Sequence, residues 1–273
     1  MMDVQDVMIS TPLIIGHRGA SALAPENTLA AFSRALEDGA DGIEFDVRLS
    51  RDRVPVVIHD ATLKRTGKLD RRVDELDASE LQQCDVSSWF GLVQSENKDA
   101  GTVPRLAQLF ELFQQTNGLL YLEMKSDAAD ATSLVSAIVN EIHKAQIAKQ
   151  VVVSSFDLNA VALVKKIDPT ISTAALFEPK LFRPISTIRR LKMVDLAVEH
   201  RADEIALHHS LCSARVVQKA AESGLPVVVW TVDDVKWIKQ AQRLGLKALI
   251  TNNPAAMIRH VKECQTRSRN TAR

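Results

Sequence analysis

Short apolar runs rich in Val and Ile alternate along the chain with longer stretches of helical period. The runs fall at Leu13–Gly16, Gly42–Arg48, Val54–His59, Leu119–Met124, Val151–Ser155, Thr173–Phe177, Glu204–His208, Val227–Val232 and Ala248–Thr251. Most are continuously apolar, the pattern of strands buried on both faces in a parallel sheet. Amphipathic stretches lie between them at Leu29–Glu37, Leu106–Gln115, Asp130–Ala145, Leu158–Ile167, Ala214–Ser223 and Val235–Leu244. This repeated strand–helix alternation predicts an α/β fold, a (β/α)8 TIM barrel.

The pattern offers one strand more than the barrel needs. Only about five residues separate Arg48 from Val54, whereas a parallel crossover takes a dozen or more. Those two runs therefore form an antiparallel β-hairpin turning near Arg51-Asp52. A two-residue turn there would set position 44 roughly opposite position 59. The polar stretch Asp60–Thr102, with Trp89-Phe90 and glycines at 91 and 101, reads as a functional insertion after the third strand. The organisation expected is one barrel over residues 13–260 with an insertion at about 60–102. Residues 1–12 and 261–273 are expected as flexible termini, with Gln265–Arg273 a frayed basic tail.

Composition narrows the class. With 46% hydrophobic and 25% charged residues, the chain is a globular protein and not a disordered one. Its 34 basic and 34 acidic residues balance, which excludes a whole-protein attraction to nucleic acid or to an anionic membrane surface. Cys84, Cys212 and Cys264 are odd in number and widely spaced, as expected of thiols in a reducing compartment. Met1–Pro12 has no basic residue ahead of its apolar positions, unlike a secretory signal. No apolar run approaches the roughly 18–20 residues that span a bilayer. A soluble, cytoplasmic protein with no stable membrane association is expected.

In such a barrel the chemistry gathers at the C-terminal ends of the strands. That edge carries His17-Arg18, Glu44, Asp46, His59-Asp60, Glu123, Lys125, Ser154-Ser155, Glu178, His208-His209, Trp230 and Asn252-Asn253. Glu44 and Asp46 are two apart on one strand and share a face. Buried together they repel, at a cost of several kcal/mol unless a cation joins them. Glu123 ends another strand of the same polarity. Three carboxylates without a thiolate suit a hard divalent ion, Mg²⁺ or Ca²⁺. The alternative is a structural network with Arg18, Arg48 or Lys125. His17 and His59 could divide acid and base duties near neutral pH, and Arg18 and Lys125 could hold an anion. Thr28 reads as the N-cap and Gly39 as the C-cap of the first helix.

Four blocks then occur in order: Ile15-Gly16-His17-Arg18-Gly19-Ala20, Ala24-Pro25-Glu26-Asn27-Thr28, Gly39-Ala40-Asp41-Gly42-Ile43-Glu44-Phe45-Asp46-Val47 and Pro55-Val56-Val57-Ile58-His59-Asp60. Further matches lie at Leu63, Arg65-Thr66, Trp89-Phe90, Val103-Pro104, Glu123, Lys125, Ser154-Ser155-Phe156 and Trp230-Thr231-Val232. The chain thereby resembles the glycerophosphodiester phosphodiesterase family, in its cytoplasmic bacterial type, from about residue 13 to 257. The resemblance implies metal-dependent hydrolysis of a small glycerophosphodiester to sn-glycerol 3-phosphate and an alcohol. On matching positions, His17 and His59 become the acid/base pair and Glu44, Asp46 and Glu123 the metal ligands. Arg18 and Lys125 become phosphate contacts, Trp230 part of the substrate wall, and the insertion a cap shaping the glycerol pocket.

Departures from the family pattern are Gly67 for a second Thr, Arg105 for a Thr, Ser88 for a Gly and Asn252 for an Asp. None is expected to touch the metal ligands or the histidines. Asn252 is expected either to tune the site, through Arg18, Lys125 or a metal-bound water, or to cap the last helix before Pro254. Two rival functions are a lysophospholipase D with a greasy groove around Trp89, Phe90 and Leu92, and a non-catalytic binding barrel.

Overall fold

A computed structural model describes residues 11–91, 101–125, 130–179 and 187–271, the side chains of 187–189 and 265–271 excepted. Its strands are β1 (Leu13–His17), β2 (Gly42–Leu49), β3 (Pro55–Val57), β4 (Leu119–Met124), β5 (Val151–Ser155), β6 (Ser172–Phe177), β7 (Glu204–His208), β8 (Val227–Trp230) and β9 (Ala248–Thr251). The helices are α1 (Leu29–Glu37), α2 (Ala78–Leu81), α3 (Leu106–Phe113), α4 (Ala131–Ala145), α5 (Leu158–Ile167), α6 (Thr187–Glu199), α7 (Ala214–Glu222), α8 (Lys236–Leu244) and α9 (Pro254–Thr271).

Strands β1, β2 and β4–β9 close a parallel ring in which β1 pairs with both β2 and β9. This is the (β/α)8 TIM barrel that the pattern predicts. Most strand residues are buried, in the outer layer against the helices or inside the barrel, which is why the runs read as continuous. On β2, Ile43, Phe45 and Val47 pack outward with Phe32, Leu109 and Phe113 of the helical layer. The alternate residues Glu44 and Asp46 face the barrel, as Tyr121 and Glu123 do on β4. The interior is filled by Ile15, Tyr121, Val152, Ala174, Leu176, Ala206, Val228, Ala248 and Ile250. Tyr121 Oη donates to Glu204 Oε2 at 3.0 Å, and Lys247 neutralises Glu204.

The expected hairpin is present, with its register shifted by one. Val47 pairs with Val57 and Leu49 with Pro55, so position 59 falls opposite 45, not 44. The connection is longer than two residues and places Arg53 at φ 63°. Ser50 Oγ holds it by donating to Asp52 Oδ1 at 2.6 Å and accepting from Val54 N at 3.0 Å.

Beyond β3, the insertion builds a small core of its own from Leu63, Val73, Leu76, Ala78, Leu81 and Val86 against Val56, Ile58 and Val103. Thr28 caps α1 by accepting from Ala31 N, while the C-cap is Asp38, with Gly39 at φ 88° one residue later. The tail expected to fray from Gln265 is helical through Thr271. Helix α6 has no counterpart among the predicted elements. Among the described residues, no helix is long and apolar enough to cross a membrane.

Candidate active site

The site begins with the way β2 shares one edge between two neighbours. Strand β1 pairs with it as far as His17 opposite Glu44. There β1 ends, and the same edge is taken over by the hairpin, with Ile58 N donating to Asp46 O at 2.9 Å. His17 and His59 thus flank one strand, although they are 42 positions apart. After His17 the chain folds back onto α1 through Arg18 (φ 53°) and Gly19 (φ 81°). A Cβ on Gly19 would lie 2.6 Å from the Ala31 carbonyl, so only glycine fits this turn. The turn aims the Arg18 amide at Glu44 Oε2, 3.2 Å away.

Glu44, Asp46 and Glu123 are all buried, and one oxygen from each lies within 4.8 Å of the others. Neighbouring strands bring them together, since Asp46 pairs in register with Glu123. Lys125 Nζ lies 3.2 Å from Asp46 Oδ1 and 2.5 Å from Glu123 Oε1. Arg18 Nε lies 3.2 Å from Asp46 Oδ2, which also accepts from Asn27 Nδ2 at 2.8 Å. Burial works against ionisation of Asp46, but Lys125 and Arg18 hold its carboxyl well below the usual range. Burial and the Asp46 charge push Glu44 the other way, well above that range, and Glu123 up to about 7. Two cations shared among three buried carboxylates leave the set short of positive charge. An all-oxygen donor set in that condition fits a hard divalent ion. Arg48, the third expected partner, instead donates to the backbone carbonyls of His59 at 2.8 Å and Lys125 at 3.3 Å.

The two histidines are backed differently. His17 Nδ1 lies 2.7 Å from Asn252 Oδ1, and Nε2 lies 3.8 Å from Glu44 Oε2. Burial, assisted by the Arg18 charge, lowers the His17 pKa to about 4. His59 Nδ1 meets Asp60 Oδ1 at 2.6 Å, and Asp60 Oδ2 accepts from Arg65 Nε at 2.6 Å. Burial lowers the His59 pKa too, opposed by Asp46.

Glu26, Asn27 and Arg65 were not foreseen as parts of the site, and Asp60 was placed on the catalytic edge without a role. Glu26 bridges Arg65, at 2.6 and 2.8 Å, to Arg18, at 2.8 Å. The signal was Pro25-Glu26-Asn27-Thr28, which as a helix start explains Thr28 alone. Asn252 corrects an expectation, because this departure does touch a histidine. The capping alternative falls to its neighbour, Asn253, whose Oδ1 accepts from Ala256 N at 3.1 Å.

These groups open on a cavity of about 240 Å³. Its polar lining is His17, Arg18, Glu44, His59, Glu123, Lys125, Ser154 and Glu178, and its apolar and aromatic lining Tyr121, Phe156, Leu176, Ala206, Trp230 and Ile250. Asp46 is buried behind the polar lining. Trp230 is held edge-to-face by Phe156 at 5.7 Å and His208 at 5.3 Å. None of the described insertion residues lines this cavity, and residues 92–100 of the expected cap lie outside the described residues. The insertion reaches the site through Arg65. Trp89 and Phe90 pack edge-to-face on each other at 5.6 Å, and Leu92 lies outside the described residues.

Closed barrel and ionisable rim together define an enzyme of the TIM-barrel class. Comparison with known proteins is more specific. The model of the glycerophosphoryl diester phosphodiesterase family matches residues 17–256. A glycerophosphodiester phosphodiesterase of Caldanaerobacter subterraneus subsp. tengcongensis is 31% identical over 252 residues, covering 92% of this chain and 98% of its own. Among solved structures, a phosphodiesterase of Oleispira antarctica in complex with the product sn-glycerol-3-phosphate gives a TM-score of 0.81 at 26% identity, covering 92% of this chain and 97% of that one. A glycerophosphodiester phosphodiesterase of Agrobacterium tumefaciens gives 0.72 at 26% identity, covering 90% and 98%. The chain belongs to the glycerophosphoryl diester phosphodiesterase family and is an enzyme of that activity, a phosphoric diester hydrolase.

Proposed function

We propose that residues 13–260 form one catalytic unit that hydrolyses small, soluble glycerophosphodiesters to sn-glycerol 3-phosphate and an alcohol in the cytoplasm. Three clustered buried carboxylates between two histidines, with His17, Glu44, His59 and Glu123 lining one cavity, carry this reading. The product bound by the Oleispira relative supports the choice of glycerol 3-phosphate. Glu44, Asp46 and Glu123 would hold one Mg²⁺ or Ca²⁺ ion. When bound, the ion supplies positive charge to the phosphate oxygens during displacement.

The protein's own groups do the rest. Arg18 and Lys125 orient the phosphate, and Trp230 covers the carbon skeleton. One histidine takes the proton of the attacking hydroxyl, from water or from the glycerol moiety, as its oxygen bonds to phosphorus. The other gives a proton to the alcohol oxygen as its bond to phosphorus breaks. Attack by the glycerol hydroxyl gives a cyclic phosphate that water then opens. The test is release of glycerol 3-phosphate from glycerophosphocholine, with and without chelator. Metal-dependent release is expected, and no release at any metal loading would overturn the reading.

A further inference from the structure

Asp233 lies three residues beyond β8 and Asn252 just beyond β9, the strand that separates β8 from β1. Asp233 Oδ1 accepts the backbone N–H of Asn252 at 2.8 Å and the Thr251 hydroxyl at 2.9 Å. Its Oδ2 meets Asn252 Nδ2 at 2.7 Å. A carboxylate accepting from these donors has no proton to give, so the amide edge turned toward it is the NH2. The Asn252 oxygen then faces the opposite way. It accepts from Ser21 Oγ at 3.0 Å and meets His17 Nδ1 at 2.7 Å. Two acceptors cannot share that contact, so Nδ1 carries the proton. In a neutral imidazole the lone pair is then on Nε2, the ring edge that faces Glu44 and the cavity.

We propose that Asp233 and Asn252 form a positioning relay that fixes His17 as its Nδ1–H tautomer, leaving Nε2 as the proton acceptor of the site. The proposal rests on the acid–base reading of His17 given above. It assigns His17 to the first proton transfer: Nε2 takes the hydroxyl proton while Nδ1–H stays on the Asn252 oxygen. His59 is backed by the carboxylate of Asp60 instead of by an amide. With His17 Nε2 taking the first proton, delivery of a proton to the departing alcohol falls to His59, whose ring is oriented by Asp60. Asp233 and Asn252 touch neither substrate nor the reacting atoms. They act through the orientation of one ring.

The test reads the ring directly. Long-range ¹⁵N–¹H correlation on ¹⁵N-histidine-labelled, Mg²⁺-loaded enzyme shows which His17 nitrogen is protonated, the signal being assigned by its loss in His17→Gln. The expected form is Nδ1–H. Asp233→Asn replaces an acceptor-only group with one that also donates, so the Asn252 amide is free to turn over. A tautomer mixture should result, with kcat lowered roughly 10- to 100-fold and KM little changed. The double variant Asp233→Asn with Asn252→Asp exchanges the charge but restores the donor–acceptor order. It should recover the Nδ1–H form and most of kcat.

An Nε2–H tautomer in the wild type overturns the relay. So does Asp233→Asn with unchanged spectrum and kcat, or a double variant no better than the single. Full activity of His17→Gln beside the expected spectrum would instead overturn the acid–base reading, with the tautomer assignment upheld.

Discussion

Strands β1, β2 and β4 bring His17, Glu44 and Glu123 to the barrel mouth, whereas β6, β7 and β8 bring Leu176, Ala206 and Trp230 to the same cavity. The first half is under electrostatic tension. Its carboxylates are buried beside one another and are placed by Arg18, Lys125 and Asn27, with Glu26 and Arg65 in support. The second half is held by ordinary packing, as in the edge-to-face contacts of Trp230 with Phe156 and His208. Functional sites violate the rules that a stable core obeys. The tense half is accordingly where single changes should stop the reaction, and the relaxed half where they should only adjust it.

The largest effects belong to the carboxylates. Glu44→Gln, Asp46→Asn or Glu123→Gln should remove nearly all turnover and also abolish the rise in Tm that Mg²⁺ gives the wild type. A variant that keeps its Mg²⁺ shift would take its residue out of the metal site. The histidines come next. His17→Ala and His59→Ala should each lower kcat by roughly 10²–10⁴-fold, with Tm close to that of the wild type.

On the relaxed side, Trp230→Ala should raise KM roughly 10-fold with little change in kcat, because it removes apolar surface from bound substrate and no reacting group. The smallest effect should come from His208→Ala. His208 supports Trp230 without lining the cavity, so kcat should stay within a factor of about two. A loss there as large as at His59 would erase the distinction between the two halves.

The same tension has a pH signature. Glu123 keeps its proton up to about 7 in the metal-free fold, while an unfolded chain releases it near the usual 4.5. Across that window the fold binds more protons than the unfolded chain, so this group's contribution to metal-free stability is lost as pH rises. A divalent ion needs the ionised carboxylate, and the Tm gain from Mg²⁺ should therefore grow from about pH 5 to about pH 8. A gain that shrinks with pH would contradict the assigned ligands.

Much of this was legible in the sequence, for identifiable reasons. Strand–helix alternation gave the barrel, and the short gap between Arg48 and Val54 forced the hairpin. The hairpin's register was not legible, because it depends on side-chain hydrogen bonds of Ser50 that lengthen the turn. The tail from Gln265 reads as frayed for a different reason: beyond Lys262 the chain lacks an apolar stripe. Residues such as Lys262, Glu263, Gln265 and Arg267 nevertheless favour helix intrinsically.

Within the site, residues two apart on a strand were easy to group. Partners such as Asp60–Arg65–Glu26 and Asp233–Asn252–His17 were not, since they come from irregular segments beyond strand ends, and His17 meets Asn252 only where β9 closes onto β1. Asn252 shows the limit well. Its departure from the family pattern was visible, but its contact with His17, across 235 positions, was not.

The central claim is that Glu44, Asp46 and Glu123 hold one divalent ion on which turnover depends. The most direct test titrates metal-stripped enzyme with Mg²⁺ or Ca²⁺, following bound metal per chain and glycerol 3-phosphate release from glycerophosphocholine in the same samples. The account predicts turnover rising in proportion to occupancy and levelling off at one ion per chain, with neither seen for Glu123→Gln. Full turnover before any metal is bound, or one ion per chain still bound by Glu123→Gln, would contradict it.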